Sequence, residues 1–126
     1  MDIVCVVYVI ASVNGNILMQ KRDNIEGILE PNKWCFPGGA IDHHESLSMA
    51  VIREIKEETG LIVNENELVF MFDDINTFRR KGRFFIIKLD GEPNIISGEG
   101  IMEWKSFEDI KRMDLAFGHS NLVNRI

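Results

Sequence analysis

Cysteine is scarce in this chain of 126 residues: there are two, Cys5 and Cys35. Two thiols cannot build a disulfide framework, and their spacing excludes a C-x-x-C redox or metal pair. Both are expected to be reduced, small and mostly buried. Basic residues are also in deficit, with 14 Lys and Arg against 20 Asp and Glu and a formal charge of −6. That balance argues against a general binder of nucleic-acid polymers, whose phosphates attract basic surfaces. It leaves room for a small phosphorylated ligand, because a divalent cation can carry the positive charge such a ligand needs. Long apolar runs are missing too. Residues 3–13 are interrupted by Ser12 and are too short to span a bilayer. The start Met1-Asp2-Ile3-Val4 lacks the basic n-region of a signal peptide. The expected location is therefore the cytoplasm, with no membrane partner. No repeat, low-complexity tract or linker interrupts the chain, so one domain over residues 1–126 is expected, as a monomer or homodimer.

What is present is a 45% hydrophobic share, enough to bury a core. Residues 3–11 are rich in β-branched side chains and read as a buried strand. Asn14-Gly15 is a hairpin turn signal, with a returning strand at 17–21. Residues 23–33 read as a polar loop. Trp34-Cys35-Phe36 is a short strand stopped by Pro37-Gly38-Gly39. Residues 46–59 form the clearest helix: Ser46 suits the N-cap, Leu47, Ala50, Val51 and Ile55 make an apolar stripe, and Gly60 suits a left-handed C-cap. Strands follow at 67–75 and 83–89, with 79–82 at or near the tip between them. Residues 90–100 read as a loop, 101–104 as a last short strand, 106–112 as a short helix capped by Ser106, and 119–126 as a terminal helix capped by Ser120 or its neighbour. Strands and helices mix without regular βαβ alternation, which predicts an α+β sandwich with a mixed sheet.

On the main helix, residues three and four apart share a face, so Glu54 meets Glu57 and Glu58. Crowded carboxylates raise one another's pKa. A hard divalent cation removes that cost, and oxygen-only ligands suit Mg²⁺, with Mn²⁺ as the other choice. Arg53 can pair with Glu57 or reach back to Glu45. A solvated acidic face is the plainer reading of such a helix. Against it, Pro37-Gly38-Gly39 lets the backbone turn sharply and come close to a ligand, which makes Gly39 a candidate substrate contact.

Residues 39–61 resemble the Nudix box, G-x5-E-x7-R-E-U-x-E-E-x-G-U, with U a bulky aliphatic residue. Gly39, Glu45, Arg53, Glu54, Ile55, Glu57, Glu58, Gly60 and Leu61 fill every specified position. The approach Asn32 to Gly39 and the tail Glu99-Gly100 followed by Glu103-Trp104 are similar to the MutT-like branch.

The resemblance implies a Nudix-type α/β/α sandwich and a metal-dependent cut of a phosphoanhydride in a nucleoside diphosphate derivative. Metal ligands would be Glu54, Glu57 and Glu58, with the Gly38 carbonyl. Glu45 and Arg53 would orient those ligands. Glu99 fits the place of a general base in the loop before the last strand, with Glu103 and Glu92 as rivals. Arg22 is similar to an arginine that grips a substrate phosphate. His119 is open to two readings, one touching the base or passing a proton, the other a satisfied structural histidine. Trp34, Phe78, Phe85 and Phe117 are candidates to stack a base, although core packing is the default for each.

A (d)NTP pyrophosphatase giving NMP and pyrophosphate is the expectation. The alternatives are a hydrolase of nucleotide sugars, ADP-ribose or dinucleoside polyphosphates, and a nucleotide sensor without catalysis. The proline and tyrosine that mark ADP-ribose and dinucleoside polyphosphate branches after the box are absent, residues 75–78 occupying that stretch. Sensors lose box glutamates, and this chain keeps them.

Overall fold

The computed structural model describes residues 1–95 and 100–126. Strand β1 (Ile3–Ser12) runs through the middle of the sheet. Its even residues Val6, Tyr8 and Ile10 join one core, and its odd residues Val7 and Val9 join another. A strand buried on both faces must be apolar at nearly every position, which is why the sequence shows a continuous run there.

The β1 turn leads into β2 (Asn16–Lys21), but only Ala11 and Ile17 stay paired between the two strands. Beyond that pair they splay apart. The wedge between them takes β3 (Trp34–Cys35) on β2 and β4 (Gly38–Ala40) on β1. The sequence predicts a turn at Pro37-Gly38-Gly39, whereas Gly38 and Gly39 form an antiparallel pairing with Val7 and Val6. Gly38 makes that possible, because a Cβ there would sit 2.1 Å from the Val6 carbonyl oxygen.

Strand β5 (Val69–Ile75) pairs antiparallel with β6 (Lys81–Leu89), and β6 pairs parallel with β1. Strand β7 (Ile101–Ser106) closes the other side by pairing along the whole of β2. One parallel pair among antiparallel ones makes the sheet mixed, as expected.

Helix α1 (Leu47–Thr59) packs Ala50, Val51 and Ile55 on one face of the sheet. Ser46 caps it by accepting the Met49 N–H at 3.1 Å, and Gly60 ends it at φ 78°. The other face carries α2 (Phe107–Ile110), capped by Ser106, and a terminal 3-10 segment (Ala116–Arg125). The result is a helix, sheet, helix sandwich.

Three boundaries differ from expectation. Residues 65–67 form a 3-10 turn because Glu67 bends back to accept the Asn64 N–H at 2.9 Å, so β5 begins at Val69. Lys81 and Gly82 already belong to β6. The terminal segment starts at Ala116 and kinks at Phe117 and Gly118. Ser120 does not cap it: its hydroxyl accepts from Leu115 N and donates to the Met113 carbonyl. No helix among the described residues is long and apolar enough to cross a membrane.

Candidate active site

The apolar stripe of α1 places one acidic residue inside. Glu58 follows Ile55 by three residues and Val51 by seven, so it continues the stripe and faces the sheet. Its relative exposure is 8%, and its Oε1 accepts the phenol of Tyr8 at 2.9 Å in a buried contact. Burial and the neighbouring Glu58 charge push the Tyr8 phenol far up, so Tyr8 remains a donor. Tyr8 is the site residue that sequence reasoning missed. The available signal was a lone tyrosine amid an apolar buried strand, since a buried phenol needs a partner.

Glu54 lies on the flank of the same helix, against β4. A Cβ on Gly39 would come 2.4 Å from the Glu54 carboxyl carbon, so glycine is what lets carboxylate and backbone meet. Burial raises the Glu54 pKa, and the Arg53 bond opposes that rise. Glu57 is more exposed.

Arg53 ties the group together. Nε and Nη2 reach the two oxygens of Glu45 at 2.7 and 2.9 Å, a bidentate pair. Nη2 also donates to the Ala40 carbonyl at 3.0 Å, and Nη1 to Glu54 at 2.9 Å and Glu57 at 3.3 Å. The Arg53 bond holds the Glu45 carboxyl below its usual range. Glu45 thus anchors Arg53, which in turn holds Glu54 and Glu57. One guanidinium faces Asp42, Glu45, Glu54 and Glu57, so negative charge remains uncompensated. Among the described residues no three His, Cys, Asp or Glu side chains are gathered closely around a single point. The donors are nonetheless all oxygens, hard and anionic, and they fit a hard divalent cation.

On the far side of Gly38-Gly39, where β1 and β2 splay, lies a cleft of about 270 Å³. Gly38, Gly39, Arg22, Phe78, Phe117 and His119 all border it. Residues from separate stretches close it. Phe117 adopts φ 63°, a conformation disfavoured for a bulky residue. Neighbours hold it there: its N–H donates to the Glu30 carboxylate, and its carbonyl accepts Thr77 N at 3.3 Å. The Arg22 guanidinium lies 4.8 Å from the Phe117 ring centre, and its Nε donates to the Leu29 carbonyl at 2.7 Å. Arg22 therefore braces the aromatic wall, a role the sequence did not reveal. At the tip between β5 and β6, the Asn76 side-chain oxygen accepts from Phe78 N and Arg80 N.

His119 is 4% exposed, and its Nδ1 accepts the Phe36 N–H at 3.1 Å. Burial lowers its pKa to about 4, so it stays neutral. The ring is a fixed part of the structure and also borders the cleft.

Among the described residues Glu92, Glu103, Trp34 and Phe85 fall away from these groups. Glu99 lies outside the described residues. Glu92 receives Ser12 Oγ at 2.7 Å, Asn16 Nδ2 at 2.9 Å and Asn14 Nδ2 at 3.2 Å, which pins it to the β1–β2 turn. Glu103 alternates with Met102 and Trp104, which pack on the α1 side, so it faces away from α1 and pairs with Lys105. Trp34 carries Lys105 over its ring, and Phe85 is core; neither borders the cleft.

A NUDIX domain model matches residues 2–126. An 8-oxo-dGTP diphosphatase from Buchnera aphidicola subsp. Acyrthosiphon pisum is 28% identical over 113 residues, 87% of this chain and 90% of the relative. An ADP-ribose pyrophosphatase from Methanocaldococcus jannaschii is 32% identical over 121 residues, 87% of this chain and 64% of the relative. The crystal structure of a MutT protein from Methanosarcina mazei Go1 has a TM-score of 0.77 at 25% identity, covering 98% of this chain and 91% of that one. With the family model spanning nearly every residue and the fold shared, the chain belongs to the Nudix hydrolases, enzymes that act on phosphoanhydride bonds and generally use divalent metals.

Proposed function

We propose that this enzyme is a MutT-like pyrophosphohydrolase that converts a nucleoside triphosphate to the monophosphate and pyrophosphate. The observation that carries the reading is the shared backbone of Gly38-Gly39. It lies against the Glu54 carboxylate of α1 on one side and borders the cleft of about 270 Å³ on the other. A nucleotide with its base in the cleft would lay its phosphates across the glycines toward α1. The match along 90% of an 8-oxo-dGTP diphosphatase supports the same reading.

Glu54, Glu57, Glu58 and the Gly38 carbonyl would hold Mg²⁺, or Mn²⁺ in its place. Bound there, the ion supplies charge neutralisation at the phosphates and acidifies a coordinated water. The protein's own share is orientation. Arg53 keeps Glu54 and Glu57 turned toward one region, Tyr8 fixes Glu58, and Gly39 admits the substrate backbone closely. Water oxygen bonds to phosphorus as the bridging P–O bond breaks. Its proton passes to a carboxylate, for which Glu99 is the proposed base. Pyrophosphate leaves with the bridging electrons.

The second reading keeps the residues and changes the substrate to ADP-ribose. It is favoured by the 32% identity to an ADP-ribose pyrophosphatase. A panel assay with Mg²⁺ separates the two: canonical and oxidised (d)NTPs, ADP-ribose, nucleotide sugars and dinucleoside polyphosphates, with phosphate and pyrophosphate scored separately. Pyrophosphate from a triphosphate, lost in Glu58→Gln, is the expected result. Turnover of ADP-ribose alone would overturn the MutT-like reading in favour of the second.

A further inference from the structure

One ring nitrogen of His119 has no partner among the described residues. Nδ1 accepts the Phe36 N–H, so it carries no proton, and in the neutral ring the proton sits on Nε2. Among the described residues no buried side-chain nitrogen or oxygen lacks a hydrogen-bond partner. Among the described residues Nε2 has no hydrogen-bond partner, so this atom is not fully buried and reaches open space. The open space that His119 borders is the cleft. Phe36, Phe84 and Phe117 pack around the ring at centroid distances of 5.4 to 5.7 Å and stop it from turning over.

Most polar side chains around it present donors, Gln20 being the one that offers an acceptor as well. The Asn76 side-chain oxygen is occupied by two backbone N–H groups, which leaves Nδ2 as what Asn76 has to offer a ligand. Arg22 and Arg80 also border the cleft, and guanidinium groups only donate. A base that presents acceptors is satisfied by such a lining. A base that presents an exocyclic amino group sets donor against donor and leaves both unpaired, which is costly in a desolvated pocket.

We infer that His119 is a specificity-determining residue whose fixed Nε2–H makes the cleft select keto bases over amino bases. This rests on the proposed placement of the base in the cleft. Hypoxanthine and adenine differ at position 6 as carbonyl against amine, and uracil and cytosine differ likewise at position 4. The ring does not serve as a general base, because its only unprotonated nitrogen is occupied by Phe36.

Two substitutions divide the role. Asparagine at 119 keeps an acceptor near Nδ1 and removes the distal donor. Glutamine carries an amide donor out to about the position of Nε2. Dissociation constants for IMP, AMP, UMP and CMP would be measured by calorimetry, with melting temperatures recorded for every variant. In the unaltered enzyme IMP should bind about tenfold tighter than AMP, and UMP tighter than CMP, the value of one good hydrogen bond. His119→Asn should bring both ratios close to one with little change in melting temperature at pH 8, and His119→Gln should restore part of the IMP preference. Equal binding of IMP and AMP by the unaltered enzyme, or ratios unmoved in His119→Asn, would overturn the inference. Triphosphate turnover alongside equal IMP and AMP affinity would sink this inference alone. Turnover of ADP-ribose alone would sink the MutT-like reading beneath it.

Discussion

On one side of Gly38-Gly39 stand carboxylates on a single helix, cross-tied by one arginine through bonds to Glu45, Ala40, Glu54 and Glu57. On the other side is a cleft whose walls come from residues far apart in the chain, such as Arg22, Phe78, Phe117 and His119. The first region is built of charge-assisted hydrogen bonds at helical spacing. The second is built of ring contacts, backbone hydrogen bonds and a strained turn. Charge geometry of the first kind must be kept wherever this chemistry runs. A wall of the second kind changes with any of its loops, which is where substrate choice is set.

Substitutions can separate these regions. The largest effect is expected from Glu54→Gln, which removes a proposed ligand and an Arg53 contact together. Turnover should fall on the order of 10³-fold, while calorimetry shows nucleoside monophosphate affinity in the cleft unchanged. Loss of both would show that the regions are not separable.

The next effect concerns folding and belongs to the cleft side. His119 has a folded pKa of about 4, below the ordinary histidine value of 6.5. The unfolded chain therefore takes up the proton first as pH falls. The contribution is complete above the ordinary histidine pKa and is lost on descent toward the folded value, by up to about 3 kcal/mol. Urea denaturation of the enzyme and of His119→Asn at a series of pH values checks this: nearly equal at pH 8, the enzyme should become progressively less stable than the variant as pH drops from 7 to 4. A constant difference would mean that His119 is not held neutral.

Arg53→Lys comes third. A lysine cannot span Glu45 bidentately while reaching Ala40, Glu54 and Glu57. Turnover should fall by roughly 10- to 100-fold, with the Mg²⁺ concentration for half-maximal rate shifted upward. Tyr8→Phe is the mildest. It deletes the 2.9 Å bond to Glu58 and little else, at a cost of about 1 to 2 kcal/mol in stability. Calorimetric Mn²⁺ affinity should weaken by up to about tenfold. Unchanged affinity would make Tyr8 a packing residue only.

The same contrast explains how much could be read in advance. The α1 carboxylates were legible because they share one helix, and helical spacing fixes who meets whom before any tertiary structure is known. Ser46 and Gly60 marked that helix for equally local reasons. Strand β1 was legible from its apolar run. The cleft was not. That Phe117 stands at φ 63° depends on Glu30 and Thr77, which are distant in sequence. Nothing near Arg22 announces that its guanidinium lies over the Phe117 ring. Pro37-Gly38-Gly39 read as a stop, because two glycines usually end a strand. Here they form one, since only a backbone without Cβ can lie so close to Val6.

Gly39→Ala tests most directly whether carboxylates and cleft form one site joined at this backbone. The added methyl would arrive 2.4 Å from the Glu54 carboxyl carbon, at the mobile end of a side chain, so Glu54 must swing aside while the fold survives. Turnover, nucleoside monophosphate affinity and melting temperature would be measured on the same preparation. Turnover reduced by roughly tenfold or more, with affinity and melting temperature held, is the result that a joined site predicts. Full turnover in Gly39→Ala would contradict it, because the contact linking the two regions would then have no part in the reaction.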